Sequence, residues 1–181
     1  MVNYRFLTLA ALALPFAAAA PTVEALDTRQ TEIFSFEKWV NSIIVNPETA
    51  LTPEQAVEAW EVSTKNGTIS SGSSLSKRYV SCTTAVGPTT AQDAAIVVNK
   101  LAALGAQACV SYTSTFFMTY GQAQCVGVVS SPPYPVTTTC QKVAQTGGLI
   151  MDQCTKSNGV TGGQASNVAN SRMIVHLGFP L

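Results

Sequence analysis

Glutamate disappears from this chain after Glu61, and His176 is its only histidine. From residue 79 onward the carboxylates are Asp93 and Asp152 alone. These shortages exclude much chemistry. A glycosidase needs two carboxylates flanking the scissile bond, but Asp93 reads as a helix-capping residue and Asp152, near a helix C-terminus, as a surface charge. A phosphatase or nuclease metal site needs more acidic ligands than these. A Ser-His-Asp triad would have to bring one of the two aspartates to His176, and no serine stands in a Gly-x-Ser-x-Gly setting. His176 itself reads as a partly exposed strand residue and not as a base or pH sensor. There is no Cys-x-x-Cys pair to suggest zinc or redox chemistry. Gly162-Gly163-Gln164-Ala165 lacks the strand-loop-helix setting and following lysine of a phosphate loop. Beyond residue 78 the cations are Lys100, Lys142, Lys156 and Arg172, too sparse for the basic stripe that nucleic acid requires. No catalytic, cofactor-binding or metal-binding residue is therefore expected, and binding is the expected mode of action.

Long apolar runs are also scarce. The one candidate is Met1–Ala20, with Arg5 in a positive n-region, an apolar Leu7–Phe16 core and small residues Ala17–Ala20 before Pro21. That is too short to span a bilayer and has the layout of a secretory signal. Stable membrane insertion is not expected. Export would place the cysteines where disulfides persist.

All five cysteines (Cys82, Cys109, Cys125, Cys140, Cys154) follow residue 78. An odd count allows at most two intrachain disulfides and leaves one cysteine as a free thiol or paired between chains, with connectivity open. One constraint applies. If 140–154 is a single helix, Cys140 and Cys154 stand about 21 Å apart at 1.5 Å per residue. Bridged Cα atoms lie within about 7 Å, so those two would then not pair. Gly147-Gly148 is expected to weaken or divide that helix.

Charge divides the chain at the same place. Residues 21–78 hold eight acidic residues against five basic ones, while 79–181 hold two against four. Within the first stretch, Ile33, Phe36, Val40 and Ile43 share a helical face, with Trp39 beside it. A second helix is predicted from Thr52, with Pro53 at its first position and Gln55 closing a capping box; it carries Ala56, Val57 and Trp60. Residues 64–76 then turn polar and Gly/Ser-rich, as a flexible linker does. Asn66-Gly67-Thr68 is a glycosylation sequon inside it. The linker ends in Leu75-Ser76-Lys77-Arg78, a dibasic pair in an exposed setting suited to proteolysis.

After the pair, a strand is predicted over Tyr79–Val86. A helix capped by Thr90 and Asp93 follows and ends at Gly105, with Ala94, Val97, Val98, Leu101 and Leu104 on its apolar face. Strands follow at Cys109–Phe117 and Ala123–Val129, joined by a Tyr120-Gly121 turn. Pro132, Pro133 and Pro135 exclude regular structure there. A second helix runs from Thr137 or Thr138 toward Cys154, and 157–170 reads as a loop. The last strand is Arg172–Phe179, where Met173, Val175, Leu177 and Phe179 alternate with Ile174, His176 and Gly178. The order β-α-β-β-α-β implies an α+β domain of ferredoxin-like type: a four-stranded antiparallel sheet, both helices on one face, stapled by disulfides and preceded by a helical pro-segment.

The dibasic site resembles a kexin-type processing site. The cysteine-bearing β-α-β-β-α-β domain behind it resembles secreted fungal killer-toxin-like proteins and small necrosis-inducing effectors. Tyr120-Gly121-Gln122-Ala123-Gln124-Cys125-Val126-Gly127-Val128 is similar to the Tyr-Gly-x-Cys-x-x-Gly-Val stretch of the latter, with two extra residues before the cysteine; Asp93-Ala94 stands where an Asp-Cys pair would be. The expected organisation is a signal peptide at 1–20, a pro-segment at 21–78 ending at the dibasic site, and a mature domain at 79–181, which is the part the family resemblance covers. The two resemblances imply a kexin-type protease as partner, and a host or competitor protein or cell-surface target. The Ser131–Val136 stretch and the 157–170 loop read either as contact surfaces or as plain connectors. A secreted protease inhibitor presenting the Pro-rich stretch and a small hydrolase using His176 are the alternatives. A cell-wall structural protein would show repeats or long Ser/Thr tracts, and neither is present.

Overall fold

Four helices and nine short strands build a mixed α+β structure in this computed structural model, which describes residues 34–65, 79–82 and 87–179. The helices form where capping chemistry predicts them. α1 (Phe36–Val45) is capped by Ser35, whose hydroxyl accepts from Lys38 N, and buries Phe36, Trp39, Val40 and Ile43. α2 (Pro53–Lys65) opens on a reciprocal capping box: Gln55 Oε1 accepts from Thr52 N at 2.9 Å and Thr52 Oγ1 accepts from Gln55 N at 3.3 Å. α3 (Ala91–Ala103) is capped by Thr90, whose Oγ1 accepts from Asp93 N at 3.0 Å. α4 (Cys140–Cys154) runs unbroken through Gly147-Gly148, so those glycines do not divide it. A β-strand precedes it where the helix was expected to begin.

The strands are β1 (Val80–Ser81), β2 (Thr89–Thr90), β3 (Ala108–Ser111), β4 (Ser114–Tyr120), β5 (Ala123–Val128), β6 (Val136–Thr139), β7 (Val160–Thr161), β8 (Gly163–Ser166) and β9 (Ile174–Gly178). The main sheet has five strands in the order β1-β8-β9-β5-β4, and β2-β7 and β3-β6 pair separately. All pairings are antiparallel. This departs from a four-stranded β-α-β-β-α-β sheet in two ways. First, β9 is central, between β8 and β5, while β1 lies at the edge. Second, β7 and β8 come from the segment read as a loop. Gly163–Ser166 lacks an apolar alternation, yet its backbone pairs with β9 on one side and β1 on the other. Main-chain pairing does not require side-chain pattern, which is why composition missed it. The strand expected over 109–117 is likewise two strands, β3 and β4.

α3 packs on β4 and β5, and α4 on β8 and β9. The strand residues beneath them are the alternate set Ala123, Cys125, Ala165, Val175 and Leu177, all buried. Phe179 continues the alternation in sequence but lies exposed. On the opposite face a row crosses the sheet through Phe116, Val126, His176, Gln164 and Ser81. α1 and α2 form a further layer on α3 and α4. Phe36, Trp39, Val40, Ile43, Ala56, Val57 and Trp60 belong to the same apolar cluster as Val97, Val98, Ile150 and Leu177. Residues before and after the dibasic pair therefore share one core.

Candidate functional site: the seat of the N-terminal helical pair

Two disulfides fix α4 at its first and last residues. Cys109–Cys140 ties it to β3 with a Cα–Cα distance of 5.1 Å, and Cys82–Cys154 ties it to the residue after β1 at 5.2 Å. Cys140 and Cys154 do not pair with each other, as a continuous helix requires. Cys125 is the remaining thiol. It is buried in β5, and loss of solvation pushes its pKa up to about 12. A thiol so far from its thiolate is a poor nucleophile or metal ligand.

Between those staples, α4 offers one face to α1. Gln145, Gly148 and Asp152 are spaced three and four residues apart, so they align along one side of the helix. Gln145 Nε2 donates to Asn41 Oδ1 at 2.6 Å. At Gly148 the two backbones nearly touch: a Cβ there would lie 2.9 Å from Glu37 Cα and 3.0 Å from both Glu37 N and Phe36 O. No other residue fits without moving α1. Asp152 then takes the start of α1. Its Oδ1 accepts from Phe36 N at 2.5 Å, and its Oδ2 accepts from Ser35 Oγ at 2.7 Å and from Glu37 N at 3.1 Å. The first N–H groups of a helix have no partner within it, and the dipole there favours an anion. Asp152 satisfies both needs from another helix. Burial raises its pKa above the usual carboxylate range, opposed by the bonds from Ser35, Glu37 and Phe36 and reinforced by the charge of Glu37. The expectation of a surface charge at Asp152 is corrected. It is a part-buried acceptor whose partners lie more than a hundred residues earlier.

α2 is held differently. Its polar contact to the domain is Gln92 Nε2 donating to Glu54 Oε1 at 3.2 Å, on the exposed rim. Otherwise it is held by Ala56, Val57 and Trp60 in the shared core. The Trp60 and Trp39 rings both stand 6.2 Å from that of Phe36, which is fully buried. Trp39 Nε1 donates to Leu51 O at 2.9 Å and so fixes the turn between the two helices.

The other expected residues fall elsewhere. Asp93 stands in the first turn of α3, its backbone N donating to the capping Thr90 Oγ1, while its Oδ2 accepts from Gln122 N at 2.9 Å. This ties the Tyr120-Gly121 turn to the helix; Gly121 has φ +53 there, a conformation that favours glycine. His176 is half-buried on the outer sheet face, where burial lowers its pKa. Ser131–Pro135 is exposed, and Arg172 Nη2 donates to the Ser131 and Pro133 carbonyls. The 157–170 segment is anchored and not merely a connector. Asn167 is buried, its Oδ1 accepting from Thr138 Oγ1 and its Nδ2 donating to Thr146 Oγ1. Lys77, Arg78, Asn66 and the Met1–Ala20 segment lie outside the described residues. Among the described residues no group of side chains could hold a metal ion, and no helix is long and apolar enough to cross a membrane.

Residues 77–178 match the family described as a domain of unknown function, DUF8794. The chain belongs to the DUF8794 family. No curated protein matches the sequence. The DUF8794 span contains α3, α4, all nine strands, both disulfides and Cys125; it excludes α1 and α2. Gln145, Gly148 and Asp152 thus belong to the family domain, and the helices seated on them do not.

Proposed function

We propose that this chain is a secreted effector or toxin-like protein, cut after Arg78 by a kexin-type protease, whose DUF8794 domain acts by binding a host or competitor target. The observation that carries this reading is the placement of the covalent bonds. Both disulfides close within the residues after the dibasic pair, and neither reaches back to α1 or α2. A cut after Arg78 would therefore leave the domain's crosslinks whole. The family span beginning at Lys77 supports the same boundary. The antiparallel sheet with α3 and α4 on one face supports kinship with the killer-toxin-like proteins, as a ferredoxin-like plan with an added strand and a relocated edge. Scarcity of reactive groups favours binding over turnover, since both carboxylates are already engaged by backbone N–H groups, Asp93 by Gln122 N and Asp152 by Phe36 N and Glu37 N. Disulfides themselves favour an extracellular location.

The test is secretion of the full chain from a eukaryotic host, followed by N-terminal sequencing and intact mass. A product starting at Tyr79, with two disulfides and one thiol, supports the reading. A product running uncut to Leu181 refutes it. A protease-inhibitor function is the second reading, favoured by the exposed Pro-rich stretch that Arg172 braces at two carbonyls. Titration of the cut protein against secreted proteases decides it, and absence of any inhibition removes it.

A further inference from the structure

We infer that cleavage after Arg78 does not by itself free the domain: the α1–α2 pair stays seated on α3 and α4 as a second, non-covalent chain, with Gly148 and Asp152 as the centre of its seat. This rests on the maturation reading above. The seat is specific, because each element of it answers a feature of α1. Gly148 leaves room for the backbone at Phe36 and Glu37, Asp152 caps the N–H groups of the same two residues, and Gln145 meets Asn41 two turns of α4 from Asp152. Phe36, Trp39, Val40 and Ile43 then bury an unbroken apolar face. The seat is also rigid, since a disulfide holds α4 at each end. A rigid partner lowers the ordering cost of association. Detaching the pair would expose the apolar faces of α3 and α4 together with its own two tryptophans.

Those tryptophans supply the readout. Trp39 and Trp60 are the chain's only two, both are buried, and both lie in the pair. Their emission reports the pair alone. The purified full chain is cut with a dibasic-specific endoprotease, then diluted serially while tryptophan emission is recorded. Gel filtration of the same samples follows the two pieces. The expected result is emission that stays blue-shifted after the cut, with both pieces co-eluting. Gly148→Leu should weaken the complex by about tenfold to a hundredfold. Leucine is the better residue within a helix, so α4 itself is not weakened by that change. Asp152→Ala, which adds no bulk, covers the case in which Gly148→Leu fails to fold, and it too should shift the dilution midpoint upward.

Red-shifted emission and separate elution of the unmodified pieces would overturn the inference. So would co-elution that neither variant weakens, since the seat would then lie elsewhere. A chain that the endoprotease leaves intact counts against the maturation reading alone. In that case a foreign protease site placed within residues 66–78 makes the same cut and the same comparison.

Discussion

α1 and α2 follow one another in the chain and bury similar residues, yet they are attached in different ways. α1 meets α4 backbone to backbone at Gly148 and is capped by Asp152. α2 rests on apolar packing and one exposed Gln92–Glu54 contact. The lesson is that a helix can be placed by its end as much as by its face. Apolar packing tolerates sliding, since many arrangements bury similar area. A carboxylate aimed at the first N–H groups of a helix fixes both its position along the partner and its direction. α1 is thus registered on the domain, and α2 follows through Phe36, Trp39 and the turn at Leu51.

Four substitutions or titrations break or sharpen that contrast. The largest effect is expected from Phe36→Ala, which removes the ring shared by both helices. The loss should be about 3–5 kcal/mol of the full chain's unfolding free energy, read from denaturant midpoints. Next comes Asp152→Ala, which leaves the N–H groups of Phe36 and Glu37 without their acceptor and should cost about 1–3 kcal/mol by the same measurement. An equal loss from Glu54→Ala would erase the distinction between the helices.

The third effect depends on pH. Burial raises the pKa of Asp152 in the folded protein above its unfolded value. The part of its contribution that depends on protonation is therefore fully present below the ordinary aspartate pKa of about 3.9 and is lost as pH rises through the raised folded value, while its acceptor bonds to Phe36 N and Glu37 N remain. The difference in stability between the native chain and Asp152→Asn should shift against the native chain as pH rises from acid toward neutral. His176 acts in the opposite sense, because burial lowers its pKa. Its contribution is present above about pH 6.5 and declines as pH falls toward its folded value. The Asp152→Asn comparison isolates the carboxylate because both proteins keep the histidine. A pH-independent difference would contradict the assigned burial. The smallest effect is Glu54→Ala, an exposed contact whose loss should stay within about 0.5 kcal/mol in the same denaturant series.

The helices were largely legible in the sequence. Ser35, Thr52 with Gln55, and Thr90 with Asp93 announce their starts by local chemistry, and the buried stripes of α1 and α3 follow the helical period. The seat was not legible. Gly147-Gly148 reads as a helix breaker because glycine is costly inside an isolated helix, and only the nearness of Glu37 gives Gly148 a purpose. Asp152 reads as a surface charge near a helix C-terminus, although the dipole there disfavours an anion. Its meaning lies in another helix, 115 residues earlier at Glu37. Local rules see a window of a few residues, and contacts of that separation lie outside any such window. β8 escaped for a related reason, since Gly163–Ser166 carries no strand pattern of its own and is defined by the neighbours it pairs with.

Native mass spectrometry of the chain cut after Arg78 tests the central claim most directly. The account predicts one ion series whose mass is the sum of the two pieces, with separate pieces appearing at higher protein concentration in Gly148→Leu than in the unmodified chain. Separate pieces from the unmodified chain, under conditions where its disulfides remain closed, would contradict it.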